Sequence, residues 1–241
     1  MNPLPAPNII SEMGVCWVVN KPGGLLTQGP PGIDNLEFRI KQFVKMRDSK
    51  PGKVYLGVPH RLDRPASGVM LFARNVRAAQ RIAKQFQSRT VKKTYWAIVE
   101  NQVQDESGTW VDYMRKLPDE AKSVIANQKE EGAQQAILDF QVVGRIGNQT
   151  WLKINLQTGR THQIRLQCSH RGHPILGDKL YDSETQFGPE THDIRKRWIA
   201  LHAREIAFEH PIEHQRYEVT APLWDHWRKL EFEFGGQYVE S

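Results

Sequence analysis

The sequence has few of the residues and segments that mark secreted or membrane proteins. Its 241 residues include only two cysteines, Cys16 and Cys168, which cannot form a disulfide framework, so we expect a reducing, cytoplasmic compartment. No purely apolar run is longer than the five residues 15–19, whereas a membrane-spanning helix needs about 20. The N-terminal sequence MNPLPAPNII contains no basic residue ahead of an apolar stretch and does not resemble a signal peptide. A soluble globular protein is therefore expected.

Motifs that bind nucleotides, metals or acyl groups are also missing. The patterns GxGxxG, GxxxxGKS/T, HExxH and GxSxG do not occur, which weakens nucleotide-binding, metalloprotease and hydrolase interpretations. Cys168, His170 and His173 lie within six residues of one another, but a structural zinc site needs four ligands. Cys16 has no neighbouring Cys or His that would complete such a site. The sequence thus predicts neither a metal nor a cofactor.

The charge of the chain is concentrated in one segment. The chain contains 33 Lys or Arg against 27 Asp or Glu, which gives a net charge of +6. Residues 41–93 contain 14 of the basic residues and only two acidic ones, so this segment carries +12 and the remainder −6. Such a basic segment is typical of proteins that bind a polyanion, nucleic acid above all. A solvated surface without a partner is the alternative, and a membrane surface is less favoured because no basic helix with an aromatic face stands out.

Apolar spacing predicts strands and helices without a regular alternation of the two. A helix is expected after Asp34, which with Glu37 forms a variant of the capping box. Asn75 is expected to cap a second helix and Thr161 a third, which Gly172 would end. The other expected elements are strands at residues 15–19, 69–73, 95–99 and 151–156, with short strands and loops over 100–135. This mixture predicts an α+β fold.

We expect one domain with short terminal segments. No repeat or long linker divides the chain, and its length suits a single domain with a core of its own. The predicted boundaries are an extended N-terminal segment over residues 1–14, a single domain over residues 15–230 and a C-terminal tail over residues 231–241. We expect this domain to act as a monomer.

A single acidic residue stands among basic residues in the sequence HRLDRPASG, residues 60–68. Asp63 is flanked there by His60, Arg61 and Arg64. Nearby cations keep a carboxylate ionised over a wide pH range, which suits a nucleophile or a general base. An ordinary turn is the alternative, because Asp ahead of Pro, Ser and Gly is common turn composition.

A second candidate site follows a Gly-containing turn in the sequence QTGRTHQIR, residues 157–165. The turn leads into a predicted helix start, and free N–H groups at helix starts bind anions. Arg160 and Arg165 add planar, fork-shaped donors that match a phosphate or a carboxylate. A capped surface helix with exposed arginines is the alternative.

A third candidate is a basic stripe within residues 74–93, which contain seven Lys or Arg and no acid. Arg77, Arg81 and Lys84 recur there at helical spacing. Such a stripe can follow a phosphate backbone, so nucleic-acid contact is favoured. A solvated helix face is the alternative.

Five motifs in a fixed order resemble those of one protein family. The sequence VVNKPGG resembles the KPxG opening of RluA-type RNA pseudouridine synthases, and HRLDRPASGVMLFA resembles their HRLDxxTSGxxLFA signature. The sequences KTYWAIV, TGRTHQIR with GHPILGD, and LHA resemble the remaining motifs, at residues 93–99, 158–178 and 201–203. The matches span residues 15–224 in family order, so the chain is identified as a member of this family.

The resemblance implies an α+β fold with a mixed, largely antiparallel sheet, flanking helices and a central catalytic cleft. It implies an isomerase, an intramolecular transferase that converts specific uridines of structured ribosomal or transfer RNA to pseudouridine without a cofactor or metal. By family position Asp63 is the catalytic carboxylate, Tyr95 stacks on the target base and Arg165 pairs with Asp63. The sequence leaves open whether Asp63 attacks the base, attacks the sugar or acts as a base.

The resemblance also implies residues that bind the RNA. Arg61 matches an arginine that enters the gap left by the flipped nucleotide, and Leu201 matches the apolar residue below the base. The remaining expected RNA contacts are His60, Arg64, Arg160, Arg77, Arg81 and Lys84.

The chain departs from the family pattern in places. Pro65 and Ala66 stand where an acidic or other residue and Thr are more usual, which removes a hydroxyl near Asp63. Residues 1–10 are too short for the small RNA-binding domain of many relatives, so the catalytic domain itself is expected to recognise the RNA. An alternative of a different class is a catalytically inactive RNA-binding module of the same fold. The presence of Asp63 together with Tyr95 and Arg165 argues against that module.

Overall fold

The computed structural model describes residues 5–49 and 51–233. The chain divides into two compact units. Unit 1 comprises Met1–Lys93 with Ala203–Pro222, and unit 2 comprises Thr94–His202 with Leu223–Ser241. That residues 15–230 form one catalytic domain stays a prediction, because two compact units can be parts of one domain or two domains.

Ten strands and four helices make up the regular structure of the described residues. The strands are β1 Asn8–Met13, β2 Cys16–Lys21, β3 Ser67–Ala73, β4 Lys92–Glu100, β5 Ser107–Lys116, β6 Ser123–Ile125, β7 Gln134–Ile146, β8 Gln149–Leu156, β9 Leu201–Glu209 and β10 Arg216–Thr220. The helices are α1 Leu36–Arg47, α2 Val76–Gln87, α3 Gln163–His170 and α4 Asp225–Glu233. Two short 3-10 turns lie at Lys179–Tyr181 and Ile194–Lys196. None of the helices in the described part of the chain is long and apolar enough to cross a membrane.

Unit 1 is built on strands in the order β1-β2-β3-β9, and β10 also pairs with β9. The pairs β1/β2, β2/β3 and β9/β10 are antiparallel. All residues of β2 and β3 are buried, because each strand is an almost continuous apolar run. This confirms the strands predicted at residues 15–19 and 69–73. The predicted extended N-terminal segment contains β1, and its residues 1–4 lie outside the described residues.

The helices of unit 1 begin at side-chain caps. Asn75 caps α2 as predicted, since its Oδ1 accepts the N–H of Ala78 at 2.8 Å. For α1 the predicted cap Asp34 is wrong by one residue. Asn35 has the extended backbone of a cap and accepts the N–H of Phe38 at 2.9 Å, whereas Asp34 pairs with Arg39.

Unit 2 is built on strands in the order β4-β8-β7-β5-β6. The ladders β4/β8, β8/β7, β7/β5 and β5/β6 are all antiparallel. The short strands expected over residues 100–135 include one of ten residues, β5, which is long because eight of its residues pair with β7. With the flanking helices, these ladders confirm the α+β class.

Helix α3 begins without the predicted cap. Thr161 does not cap it, because the N-cap position is His162 in a left-handed conformation, φ 57°, with no side-chain hydrogen bond to the helix. The end of α3 is as predicted, since Arg171 is the C-cap and Gly172 follows at φ +77°. Helix α4 continues to Glu233, so the predicted tail 231–241 begins within a helix, and residues 234–241 lie outside the described residues.

Gly68→Ala should destabilise the protein strongly. Gly68 has φ +117°, and a Cβ there would lie 2.5 Å from the backbone nitrogen of Ala203 and closer still to its carbonyl oxygen. Backbone strain and overpacking together should lower the free energy of unfolding by about 3 kcal/mol or more, as measured by urea denaturation.

Gly32→Ala is the matched control, because Gly32 also has a positive φ, +83°, but a Cβ there meets nothing within 4 Å. Its cost should be about 1 kcal/mol from backbone strain alone. A Gly68→Ala cost no larger than the Gly32→Ala cost would contradict the close approach to Ala203.

Candidate active site

The Asp63 loop of unit 1, residues 57–66, is held at its backbone by a buried hydroxyl. Thr27 Oγ1 accepts the N–H of Leu62 at 3.2 Å and donates to the carbonyl of the same residue at 3.0 Å. The turn closes with the N–H of Ala66 on the carbonyl of Asp63 at 3.2 Å. Leu62 and Ala66 are buried, whereas Asp63 between them is half-buried. The loop therefore presents a partly accessible carboxylate on a fixed backbone.

A second anchor of the Asp63 loop is Lys21, to which the sequence assigned no role. Its side chain at the end of β2 is fully buried, and Nζ donates to the carbonyls of Pro22, Leu25 and Arg64 at 2.9, 2.7 and 3.1 Å. Burial lowers the pKa of Lys21 to about 7, against the attraction of Asp63, and the repulsion of Arg64 lowers it further. The signals in the sequence are the place of Lys21 in the KPxG motif and its separation by one residue from an apolar run.

His60 has a structural role in unit 1. Its Nε2 accepts the N–H of Leu71 at 2.8 Å, and its ring stacks on Phe86 of α2 with centroids 4.5 Å apart. Burial lowers the pKa of His60 to about 3, and the nearby Lys93 contributes in the same direction. The neutral ring must then carry its proton on Nδ1, so only that edge is left for the RNA contact predicted for His60.

The other basic candidates of unit 1 differ in exposure. Arg61 is exposed and Arg64 half-buried in the loop beside Asp63. On α2, the basic side chains of Arg77 and Lys84 are exposed. Arg81 is half-buried and donates to the carbonyl of Pro211, so one member of the predicted stripe contacts the rest of unit 1.

In unit 2, the predicted residues lie on three different elements. Tyr95 lies on β4 opposite Ile154 of β8, and its side chain is 7% exposed. Leu201 is buried and begins β9, of which the first two residues belong to unit 2. Arg160 is half-buried, and its Nε donates to the carbonyl of Gln135 at 3.0 Å.

Arg165 of α3 forms a buried ion pair that the sequence did not predict. Its Nε and Nη2 donate to the Oδ2 and Oδ1 of Asp178 at 2.6 and 2.7 Å. Its guanidinium carbon lies 5.1 Å from the ring centroid of Tyr181. Asp63 belongs to unit 1 and Arg165 to unit 2, so their pairing stays a prediction.

Comparison with known proteins identifies the family. The sequence profile described as RNA pseudouridylate synthase matches residues 15–170. An uncharacterised RNA pseudouridine synthase of Synechocystis is 30% identical over 225 residues, which cover 92% of this chain and 67% of that protein. Ribosomal large subunit pseudouridine synthase C of Haemophilus ducreyi is 31% identical over 223 residues, covering 92% and 68%. The tRNA pseudouridine synthase C of Haemophilus influenzae is 30% identical over 244 residues, covering 96% and 99%.

A solved structure agrees with the fold. The human RNA pseudouridylate synthase domain-containing protein 4 superposes with a TM-score of 0.76 at 23% identity, over 94% of this chain and 92% of that one. The chain belongs to the RNA pseudouridylate synthase family, which confirms the resemblance seen in the five motifs. It is an enzyme, an isomerase that converts uridine in RNA to pseudouridine.

Lys21 should make the protein more stable as the pH rises from about 7 to about 8.5. The pKa of Lys21 is lowered from 10.5 to about 7, so in this window the unfolded chain binds more protons than the folded one. The free energy of unfolding therefore rises with pH, by up to about 1.4 kcal/mol per pH unit. Burial raises the pKa values of the Cys16 and Cys168 thiols, so these act in the opposite direction where the unfolded thiols begin to ionise, near the top of this window. Both cysteines are present in the wild type and in a Lys21 variant, so their effect cancels in a comparison of the two.

Urea denaturation at several pH values measures this slope for the wild type and for Lys21→Met, which has no titratable group. The variant loses hydrogen bonds at every pH, so the slopes and not the absolute stabilities are compared. The slope of Lys21→Met should be smaller by up to about 1.4 kcal/mol per pH unit, and equal slopes would contradict the depressed pKa.

Proposed function

We propose that this enzyme isomerises specific uridines in structured ribosomal or transfer RNA, with Asp63 as the catalytic carboxylate. The observation that carries the proposal is the fixed backbone of the Asp63 loop, bonded to buried Thr27 on one side of Asp63 and to buried Lys21 on the other. A preorganised carboxylate costs little reorganisation when it reacts. Both RNA classes stay in the proposal, because similar proteins are named for each.

The proposed reaction conserves the atoms of uridine. The bond from N1 of uracil to C1′ of the ribose breaks, the base turns, and C5 bonds to C1′. C5 loses its proton, N1 gains one, and no redox equivalent is consumed. In these steps Asp63 acts as a nucleophile towards the uracil, as a nucleophile towards the ribose, or as a general base. All three routes stay open.

The neighbouring residues have proposed roles of their own. Tyr95 stacks on the target base, Leu201 packs below it and Arg165 pairs with Asp63. Arg61 fills the gap that the flipped nucleotide leaves, a role supported by its exposed side chain next to the loop. Extracting a base from its stack costs a few kcal/mol, and an aromatic face with a cationic filler offsets this cost.

RNA binding is proposed to rest mainly on the basic segment 41–93, with Arg160 as a contact from outside it. The proposed contacts are His60, Arg64, Arg160, Arg77, Arg81 and Lys84. The exposed Arg77 and Lys84 support this proposal most directly, because they are available to phosphates. We further propose that the enzyme acts as a monomer in the cytoplasm, and the buried, free thiols of Cys16 and Cys168 suit a reducing compartment.

Asp63→Asn should abolish pseudouridine formation while RNA affinity stays within about twofold, because Asn is nearly isosteric but offers no anionic oxygen. The assay is tritium release from RNA labelled at C5 of uridine, since C5 loses its proton in the reaction. Suitable probes are bacterial tRNA and large-subunit ribosomal RNA transcripts. Turnover by Asp63→Asn at more than about 5% of the wild-type rate would contradict the assignment.

Arg77→Ala combined with Lys84→Ala should weaken RNA binding and flatten its salt dependence. Each lost phosphate contact lowers the log–log salt slope by about 0.7 to 0.9, so the double variant should lose about 1.4 to 1.8. The dissociation constant of a tRNA transcript across a salt series measures the slope.

Arg195→Ala combined with Lys196→Ala is the control, because these exposed cations lie outside the segment 41–93 and their loss changes the net charge equally. The control slope should stay at the wild-type value. An unchanged slope for the Arg77 and Lys84 variant would mean that this face of α2 does not contact RNA.

A further inference from the structure

The buried ion pair between Arg165 and Asp178 has a geometry that fixes one orientation of the guanidinium. Asp178 binds the Nε and Nη2 edge with both carboxylate oxygens, at 2.6 and 2.7 Å. This side-on, bidentate arrangement directs the Nη1 end of the fork away from Asp178. Only 5% of the Arg165 side chain and 2% of the Asp178 side chain is exposed, so water competes little for these hydrogen bonds.

The carboxylate of Asp178 is itself held on a rigid turn. The backbone carbonyl of Asp178 accepts the N–H groups of Tyr181 and Ser183 at 3.0 and 3.2 Å, and its own N–H donates to Ile175 at 3.0 Å. Gly177 precedes it at φ +85°, where a Cβ would lie 2.5 Å from the carbonyl oxygen of Trp198. The position of the carboxylate is therefore set by the backbone.

Tyr181 adds a second constraint on the guanidinium. Its ring centroid lies 5.1 Å from the guanidinium carbon of Arg165. Its hydroxyl accepts the N–H of Ser123 at 2.9 Å and lies 3.0 Å from Nδ1 of His162, so the far end of the side chain is held in place. The planar group of Arg165 is thus fixed along one edge by a carboxylate and packed against an aromatic ring.

Stability alone does not explain a pair of this kind. The free-energy cost of removing both charges from water offsets most of their electrostatic attraction. Apolar residues of similar volume therefore often stabilise a fold at least as well. A fixed guanidinium is an advantage, in contrast, if Arg165 must bind a second carboxylate in one defined orientation.

We propose that Asp178 is a positioning residue for pseudouridine formation, whose carboxylate fixes the guanidinium of Arg165 in the orientation that pairing with Asp63 requires. This inference rests on the proposed function, in which Arg165 is the partner of Asp63. Asp178 does not touch the uridine in this account and acts only through Arg165.

A second arginine–aspartate pair, at the other end of α3, serves as a control; its side chains are 25% and 10% exposed and are joined by one hydrogen bond. Arg171 Nη1 donates to Oδ2 of Asp112 at 2.8 Å, and its guanidinium carbon lies 4.7 Å from the ring centroid of Trp110. This pair also joins an arginine, an aspartate and an aromatic ring in unit 2, but none of the three has a proposed role in the reaction.

The test compares Asp178→Asn with Asp112→Asn in the full chain, on the C5-tritiated tRNA and ribosomal RNA transcripts used for Asp63→Asn. Asp178→Asn should lower the single-turnover rate by about tenfold or more and leave the RNA dissociation constant within about twofold. Asp112→Asn should leave both within about twofold. If the ion pairs served stability alone, both variants would have a lower thermal unfolding midpoint. Asp178→Asn would then not combine a lower rate with unchanged RNA binding.

A double variant tests whether Asp178 acts through Arg165. If it does, Arg165→Ala with Asp178→Asn should be no slower than Arg165→Ala alone, because the residue that Asp178 positions is already missing. Rate losses that multiply in the double variant would overturn the inference. So would a folded Asp178→Asn enzyme with the wild-type rate.

If Asp178→Asn fails to fold, Asp178→Glu is the variant that tests the inference. It retains the buried charge but moves the carboxylate by one methylene, so the enzyme should fold and react about tenfold more slowly. A wild-type rate for Asp178→Glu would overturn the inference. A wild-type enzyme that releases no tritium from any of these RNAs would instead overturn the proposed function, and the inference with it.

Discussion

The enclosure of the Lys21 amino group by backbone carbonyls is the interaction on which the candidate active site of unit 1 depends. Lys21 ends a strand whose six residues are all buried, and its acceptors include a carbonyl 43 residues further along the chain. A buried charge is costly unless polar groups surround it, so Lys21 is tolerated only when these acceptors are in place. The Asp63 loop and the segment after β2 must therefore fold together, which gives the carboxylate a defined position.

The buried Arg165–Asp178 ion pair of unit 2 has a different purpose from the buried Lys21 of unit 1. Lys21 fixes backbone, because its tetrahedral Nζ can bond to carbonyls that approach from different directions. Asp178 holds a side chain, because the planar fork of Arg165 fits a carboxylate edge in only one orientation. The use of lysine in unit 1 and arginine in unit 2 thus follows from what each has to fix. Lysine fixes a backbone loop, and arginine fixes the orientation of a side chain.

Local signals predicted the elements of the fold better than their ends. The buried strands and the cap at Asn75 follow from patterns within a few residues, and the structure confirms them. The predicted cap Asp34 failed because Asn35 offers an equivalent acceptor one residue later, and spacing does not distinguish the two. The predicted cap Thr161 failed because His162 adopts a left-handed conformation and takes the N-cap position, which apolar spacing does not indicate.

Partners that are distant in sequence account for what the motifs did not predict. Lys21 and Asp178 both lie inside family motifs, but a motif does not state which side chains meet, and their roles depend on partners 43 and 13 residues away. The same limit applies to Arg81, whose helical spacing placed it with the exposed cations although it donates to a carbonyl 130 residues further on. Residues that would face the substrate could be proposed from their chemistry together with the family resemblance. The residues that support them have a role only through contacts that exist after folding, so the structure was needed to find them.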